Sequence, residues 1–229
     1  MKTIIIIPYR DRVSHLSYWL KNTYPLLKNV IEDLEVIVVE QVHGKAFNRG
    51  ATINIGYAYY NNPEYNYITQ DVDVNPIQED IVKQYAVVVE DNIILAIYSD
   101  GNTLGGIIKM RGSTLKKING FPNDYWGWGH EDKDILNRAN FYNCKIVRNI
   151  RFADVDKHRK LKIFEDNHNR QENNKYSFAY KQWARLNNNA KKTYIENNGL
   201  TTLHYKVLSE EKLMDGVKKI VVIPNTIDM

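Results

Sequence analysis

Thr3-Ile4-Ile5-Ile6-Ile7-Pro8 is an unbroken β-branched run closed by a proline. Four consecutive isoleucines put apolar side chains on both faces of an extended chain, so the segment predicts a strand buried on both sides, as in a parallel sheet. Downstream, Val13 to Leu27 carries Leu16, Trp19, Leu20 and Leu26-Leu27 at near-helical spacing, and Leu34 to Val39 is a second apolar run. Phe47 to Tyr60 again reads as helix through Ile53, Ile55, Tyr57 and Tyr59, and a third short run, Tyr65 to Thr69, leads into Asp71-Val72-Asp73. Strand, helix, strand, helix, strand is the α/β pattern and predicts a mainly parallel sheet with helices on both faces. After Pro76 the rhythm loosens. Tyr85–Glu90 and Ile93–Ser99 read as strands, Gly105-Gly106 as a turn or close backbone approach, and Glu131–Tyr142 as a helix. Residues 156 to 198, rich in Asn, Lys and Arg, read as exposed helices and loops, and Thr201–Leu208 and Val217–Ile223 as closing strands.

The chain has 229 residues, enough for one large domain or two merged ones, and no repeat or linker divides it. At 43% hydrophobic and 25% charged residues it is neither a disordered nor a low-complexity chain. The net charge of +4 suits a phosphate-bearing small ligand and is too thin for nucleic-acid binding, which needs a concentrated basic face. A single cysteine, Cys144, excludes an intrachain disulfide and a cysteine-rich zinc site. No apolar run approaches the ~18 residues of a transmembrane segment, so the chain reads as soluble and cytoplasmic.

Three segments after the first three strands carry chemistry. Asp71-Val72-Asp73 ends an apparent strand, and alternation would turn both carboxylates to one side. Such a pair can hold a hard divalent cation and leave positions open for ligand phosphates. Two solvated turn aspartates, or the aspartyl nucleophile of a phosphohydrolase, are the other readings of the pattern. Pro8-Tyr9-Arg10-Asp11-Arg12 opens the first helix, where backbone N–H groups and two arginines suit a diphosphate, and Tyr9 offers a ring to stack on a base. Phe47-Asn48-Arg49-Gly50 offers another aromatic and another arginine after the second strand. Ligands bind at the carboxyl ends of strands in open α/β sheets, so these segments outline one nucleotide cleft.

The stretch Asn119-Gly120-Phe121-Pro122-Asn123-Asp124-Tyr125-Trp126-Gly127-Trp128-Gly129-His130-Glu131-Asp132-Lys133-Asp134 is the most informative. Aromatics interleaved with glycines pack a core poorly and cover the apolar face of a sugar well, while neighbouring carboxylates accept from its hydroxyls. The acidic run also opens a helix, where the dipole alone favours negative charge.

This stretch resembles the signature of the β-1,4-galactosyltransferase family, glycosyltransferase family 7. Pro8 to Arg12, Phe47 to Arg49, Asp71 to Asp73 and Gly105-Gly106 resemble its other motifs in the same order. The resemblance runs from about residue 4 to 140 and more loosely to Val207. It implies a GT-A (Rossmann-like) α/β fold forming one catalytic domain over 1–229, with a nucleotide-sugar part at 1–105 and an acceptor part at 106–229. It also implies a manganese ion, a UDP-sugar donor and an inverting transfer to a hydroxyl of a carbohydrate acceptor. By position, Pro8, Tyr9, Arg10, Arg12, Phe47, Arg49, Asp71, Val72, Thr103, Gly106 and Trp128 would hold the donor. Asp73 would ligate the metal, Glu131 would hold the donor sugar and Asp132 would be the base. Tyr125, Trp128, Asp132 and Lys133 would meet the acceptor.

The chain departs from the family pattern at four places. His130 stands at a usual glycine, and Lys133 at an aspartate that contacts the acceptor sugar, which puts an N-acetylglucosamine acceptor in question. Thr103 falls where a bulky tyrosine restricts the donor to galactose, which admits UDP-GalNAc as well as UDP-Gal. The family's downstream metal histidine corresponds best to His158, with Asp156 or Asp154 assisting, whereas His168 and His204 read as structural or solvent-facing. The lack of an anchor, stem and disulfides reads as a bacterial or viral member. A non-catalytic nucleotide-sugar or glycan-binding protein is the alternative, and Lys133 beside the proposed base is its supporting feature.

Overall fold

The computed structural model describes residues 1–151, 153–154, 157–165 and 178–224. Strand β1 (Thr3–Tyr9) is followed by α1 (Val13–Tyr18) and α2 (Tyr24–Val30), joined through a π turn at Trp19–Thr23. That turn has a cause: Pro25 has no N–H and its ring crowds the carbonyl one turn back, so the helix widens just ahead of it. β2 (Leu34–Gln41), α3 (Arg49–Tyr60), β3 (Asn66–Gln70), β4 (Val74–Pro76) and α4 (Glu79–Ala86) come next. β5 (Ile93–Tyr98), β6 (Ile107–Arg111), α5 (Gly112–Lys117), α6 (Glu131–Phe141) and β7 (Lys145–Arg148) follow. The last elements are α7 (Lys157–Lys160), β8 (Leu161–Ile163), α8 (Trp183–Arg185), α9 (Asn188–Glu196), β9 (Tyr205–Met214) and β10 (Val217–Pro224).

Eight strands form one sheet in the order β7-β5-β6-β3-β1-β2-β10-β9, with β3, β1, β2 and β10 mutually parallel at its centre. The antiparallel pairs are β5–β6, β6–β3 and β10–β9. β1 behaves as its isoleucines require. Ile5 and Ile7 enter a core under α1, α2 and α4, while Ile4 and Ile6 enter a second core under α3, α5 and α6. Each is fully buried, worth about 1.5–3 kcal/mol per side chain. Strands from before and after residue 105 share this sheet, and β4 with β8 makes a separate two-stranded ladder.

Two expectations are corrected. Tyr85–Glu90 is not a strand: Ile81, Val82 and Tyr85 give α4 a buried face, and the chain after it leaves Val87 and Val88 exposed. The buried Lys109 ammonium donates to the Tyr85 carbonyl at 2.6 Å and so fixes the end of that helix. Asp71 to Asp73 likewise do not extend β3. The Val74 N–H donates to the Asp71 carbonyl at 3.1 Å, closing a turn, so strand alternation does not aim the two carboxylates.

Candidate active site

Because β3, β1 and β2 are adjacent and parallel, the segments after them emerge side by side at one edge of the sheet. The antiparallel β6 starts at the same edge, where Gln70 pairs with Ile107 and the Asp71 N–H donates to the Gly106 carbonyl at 3.1 Å. Gly105 brings in α6: the Leu104 N–H donates to the Asp132 carbonyl at 2.9 Å, and a Cβ on Gly105 would lie 3.1 Å from the Asp132 carboxylate. Any side chain at Gly105 would press on the proposed base. Topology therefore gathers all five motifs into one cleft.

Arg49 is the centre of that cleft. It opens α3 directly after Asn48, whose side chain accepts from the Ala51 N–H at 2.8 Å as an N-cap. Its Nε donates to Asp71 Oδ1 at 2.7 Å and its Nη1 to Glu131 Oε1 at 3.5 Å, while the guanidinium lies 5.8 Å from the Phe121 ring centre. Nη2 is buried and has no hydrogen-bond partner, an unmet donor in a closed position that an anionic oxygen would complete. Burial, and then the charge of Asp132, push the Glu131 carboxyl up to about 7. Burial also raises Asp132, against the pull of Arg49, so its carboxylate is a stronger base than an exposed one.

Asp73 accepts from Arg12 Nη1 at 2.8 Å, yet burial and the neighbouring Asp71 charge raise its pKa. This is a carboxylate short of positive charge, and its hard oxygen suits a divalent cation. Among the described residues no group of three His, Cys, Asp or Glu side chains is gathered closely enough to hold a metal alone. His158 is not brought to Asp73. β4 and β8 pair Val74 with Ile163 and Pro76 with Leu161, and the Phe164 N–H donates to the Asp73 carbonyl. The chain before Leu161 therefore runs away from Asp73, and His158 is exposed on α7 at the far end of that ladder. Asp154 is exposed and its carboxylate accepts from the Arg151 N–H, while Asp156 and His168 lie outside the described residues.

Other expected contacts are redistributed. The Tyr9 ring is only 4% exposed and belongs to the core under α1, so it offers no stacking face. Phe47 is the more open ring of the two: it is half-buried, with the Arg10 guanidinium 5.3 Å from its ring centre. Pro8 and Val72 are buried as well, so their side chains offer a ligand no face. Thr103 is buried beside Asp132, and its hydroxyl has no partner.

The long motif divides in two. Its first half is scaffold. Asn54 on α3 donates to the Phe121 carbonyl at 2.7 Å and to Asn123 at 2.9 Å, and Asn123 donates to the Gly199 carbonyl at 2.7 Å. Asn119 donates to the Ile195 carbonyl at 2.6 Å, which ties the segment to α9. Gly50 lets α3 approach it, since a Cβ there would meet the Pro122 carbonyl at 2.3 Å. Tyr125, expected on the acceptor, is 1% exposed and donates to Asp134 at 3.0 Å, so it positions α6 instead of facing a ligand. The second half is surface. The Gly127 N–H is pinned to the Phe47 carbonyl at 2.9 Å, and Trp128 is 52% exposed. His130 and Lys133 follow at the start of α6, against a ring that the sequence did not flag: Tyr180, which lies 5.2 Å from the Lys133 ammonium.

Comparison with known proteins agrees with this geometry. Residues 1–87 match the family described as the N-terminal region of glycosyl transferase group 7, and residues 95–163 that described as the N-terminal domain of galactosyltransferase. The chain is 31% identical over 215 residues to β-1,4-galactosyltransferase 2 of Cricetulus griseus, covering 89% of this chain and 54% of that one. It is 35% identical over 156 residues to β-1,4-galactosyltransferase 1 of Bos taurus, covering 64% and 38%. The chain thus spans about half the length, or less, of these relatives, which are animal proteins and lend the expectation of a bacterial or viral member no support. The catalytic domain of Drosophila β1,4-galactosyltransferase 7, in complex with xylobiose, superposes with a TM-score of 0.75 at 21% identity, over 98% of this chain and 94% of that one. A mutant of it with manganese, UDP-Gal and xylobiose gives 0.74. The fold is accordingly GT-A, and no helix among the described residues is long and apolar enough to cross a membrane. With both family segments matched in order across more than half of its length, the chain belongs to glycosyltransferase family 7, the family of the β-1,4-galactosyltransferases.

Proposed function

We propose that this chain is a metal-dependent inverting glycosyltransferase that moves galactose or N-acetylgalactosamine from a UDP-sugar to a hydroxyl of a carbohydrate acceptor. The observation that carries the reading is Arg49: a buried arginine bridging Asp71 and Glu131, with Asp132 beside it and one donor unmet. An arginine so placed suits a diphosphate oxygen. Phe47 with Arg10 flanks the base, and the main chain at Pro8, Tyr9, Val72 and Gly106 lines the nucleotide, with Arg12 beside Asp73. Asp73 is the residue that would hold manganese, with diphosphate oxygens filling further positions. Bound there, the ion would offset the charge that collects on the departing diphosphate.

The chemistry then falls to α6. The acceptor hydroxyl oxygen attacks the anomeric carbon from the face opposite UDP. The new carbon–oxygen bond forms as the bond to the β-phosphate oxygen breaks, that electron pair leaves with UDP, and the hydroxyl proton passes to the Asp132 carboxylate. Glu131, pushed up to about 7, holds a proton near neutrality and can donate to a hydroxyl of the donor sugar. Trp128 covers the apolar face of a sugar. Thr103 supports GalNAc as a second donor, because its small side chain leaves room and its unpartnered hydroxyl can bond the acetamido group. The division into a nucleotide-sugar part at 1–105 and an acceptor part at 106–229 belongs to this reading.

The test is UDP release with Mn²⁺ and UDP-Gal or UDP-GalNAc in the presence of sugar acceptors, for the parent and for Asp132→Asn. Transfer should fall about 10²–10⁴-fold in the variant while UDP binding by calorimetry stays unchanged. A parent that binds UDP and transfers to no acceptor would leave the nucleotide-sugar-binding protein as the better reading. Undiminished transfer by Asp132→Asn would remove Asp132 as the base.

A further inference from the structure

Three side chains at the rim of the proposed acceptor site have no part in the transfer chemistry. Tyr180 comes from a π turn at Phe178–Gln182, and its ring is 38% exposed. The Lys133 ammonium lies 5.2 Å from that ring centre, and the His130 imidazole meets the same ring edge-on at 5.5 Å. Among the described residues no carboxylate forms an ion pair with Lys133. The aromatic face holds a cation in place there.

His130 adds a second, independent observation. It caps α6 with φ of +77°, a left-handed conformation that is strained for a residue with a Cβ and free for glycine. Backbone strain at the mouth of a site points to a side chain with work to do there.

Lys133 directly follows the proposed base, so the ring that presents its hydroxyl to Asp132 must pass this rim. An ammonium only donates: a neutral sugar can offer it a hydroxyl oxygen, which makes an ordinary hydrogen bond. A carboxylate or phosphate on the sugar gains a charge-assisted hydrogen bond, which is shorter and stronger than one to a neutral hydroxyl. We propose that the acceptor is a sugar bearing an anionic substituent, a uronate carboxylate or a phosphate ester, held by Lys133 on the Tyr180 ring with His130 as a second donor. The inference rests on the transferase reading above and names its substrate class.

The experiment is calorimetric binding of matched sugars to the full chain loaded with Mn²⁺ and UDP. The pairs are cellobiose with cellobiouronic acid, and glucose with glucose 6-phosphate. At least one charged member should bind about tenfold or more tightly than its neutral partner, and the pair that shows it identifies the anion. Lys133→Met should abolish that preference with UDP binding intact, and Lys133→Asp should turn it toward the neutral sugar. Equal affinities within both pairs, or a preference that survives Lys133→Met, overturns the proposal while leaving the transferase standing. Failure of the parent to bind UDP at all overturns the transferase reading, and this inference with it.

Discussion

Helix α6 sets two carboxylates against buried arginines, and although each arginine keeps one buried, unpartnered Nη2, the carboxylates end in opposite states. Near its middle, Arg138 and Asp134 are both 0% exposed, 2.7 Å apart, and the carboxylate also accepts from Tyr125 at 3.0 Å and Tyr194 at 2.9 Å. At its start, Glu131 has only the 3.5 Å contact with Arg49, and its carboxyl is driven up toward neutrality. One carboxylate is surrounded by donors, and the other is left short of them. The first arrangement fixes the helix against α9 and the Asn119–Asn123 segment. The second holds reactive groups in a state that a substrate can complete. A single helix thus supplies both the rigid frame and the incomplete site, separated by one turn.

The sharpest way to break this comparison is Asp134→Ala. It would strand Arg138 in the core without its carboxylate and should cost about 3–5 kcal/mol, read as a lower denaturant midpoint. A loss under about 1 kcal/mol would show that the pair is not the frame described. Glu131→Gln tests the opposite end, and its effect should depend on pH. The carboxyl moves from an ordinary 4.5 to about 7 on folding, so Glu131 stabilises the fold below 4.5 and loses that contribution as pH rises through 7. The glutamine variant should therefore gain on the parent over that window, by at most about 3 kcal/mol, in thermal melts taken at pH 4 and pH 8. A difference independent of pH would mean that the site carboxyl is as well satisfied as Asp134. The smallest effect is expected of His130→Gly. Relief of the left-handed backbone is offset by the freedom of glycine when unfolded and by the lost edge contact with Tyr180. The net gain in stability should stay below about 1 kcal/mol.

The contrast also explains what could be read without coordinates. β1, β2 and β3 were legible because each is a run of β-branched or aromatic residues buried on both faces, and their order alone placed three motifs at one edge. β6 was missed because Lys109 interrupts its apolar pattern; that lysine is buried and caps α4. β4 and β8 are three residues each, too short to show a period. Within the site, Arg49, Asp71, Glu131 and Asp132 were found by motif and lie together. The roles of Tyr9 and Tyr125 were misjudged because an aromatic in a motif can face a ligand or the core, and sequence spacing does not say which. Asn54 on α3 and Asn198 in the turn after α9, whose side-chain amides hold the motif, carry no local signal at all. Asn48 did leave a local signal that went unread, since an asparagine just before a helix is a common cap.

The place of β10 has a consequence for how the chain comes into being. β2 ends at Gln41, yet its outer edge is covered by β10, where Val217 pairs with Val36 and Val222 with Gln41. During synthesis β1 and β2 can pair early, but the far side of β2 stays an open, apolar strand edge until β10 has emerged. Such an edge is a template for pairing with other chains, and closing it across so long a loop is slow. The β9–β10 hairpin is what seals an edge made much earlier, so a chain cut short before Val217 would be both unfinished and adhesive.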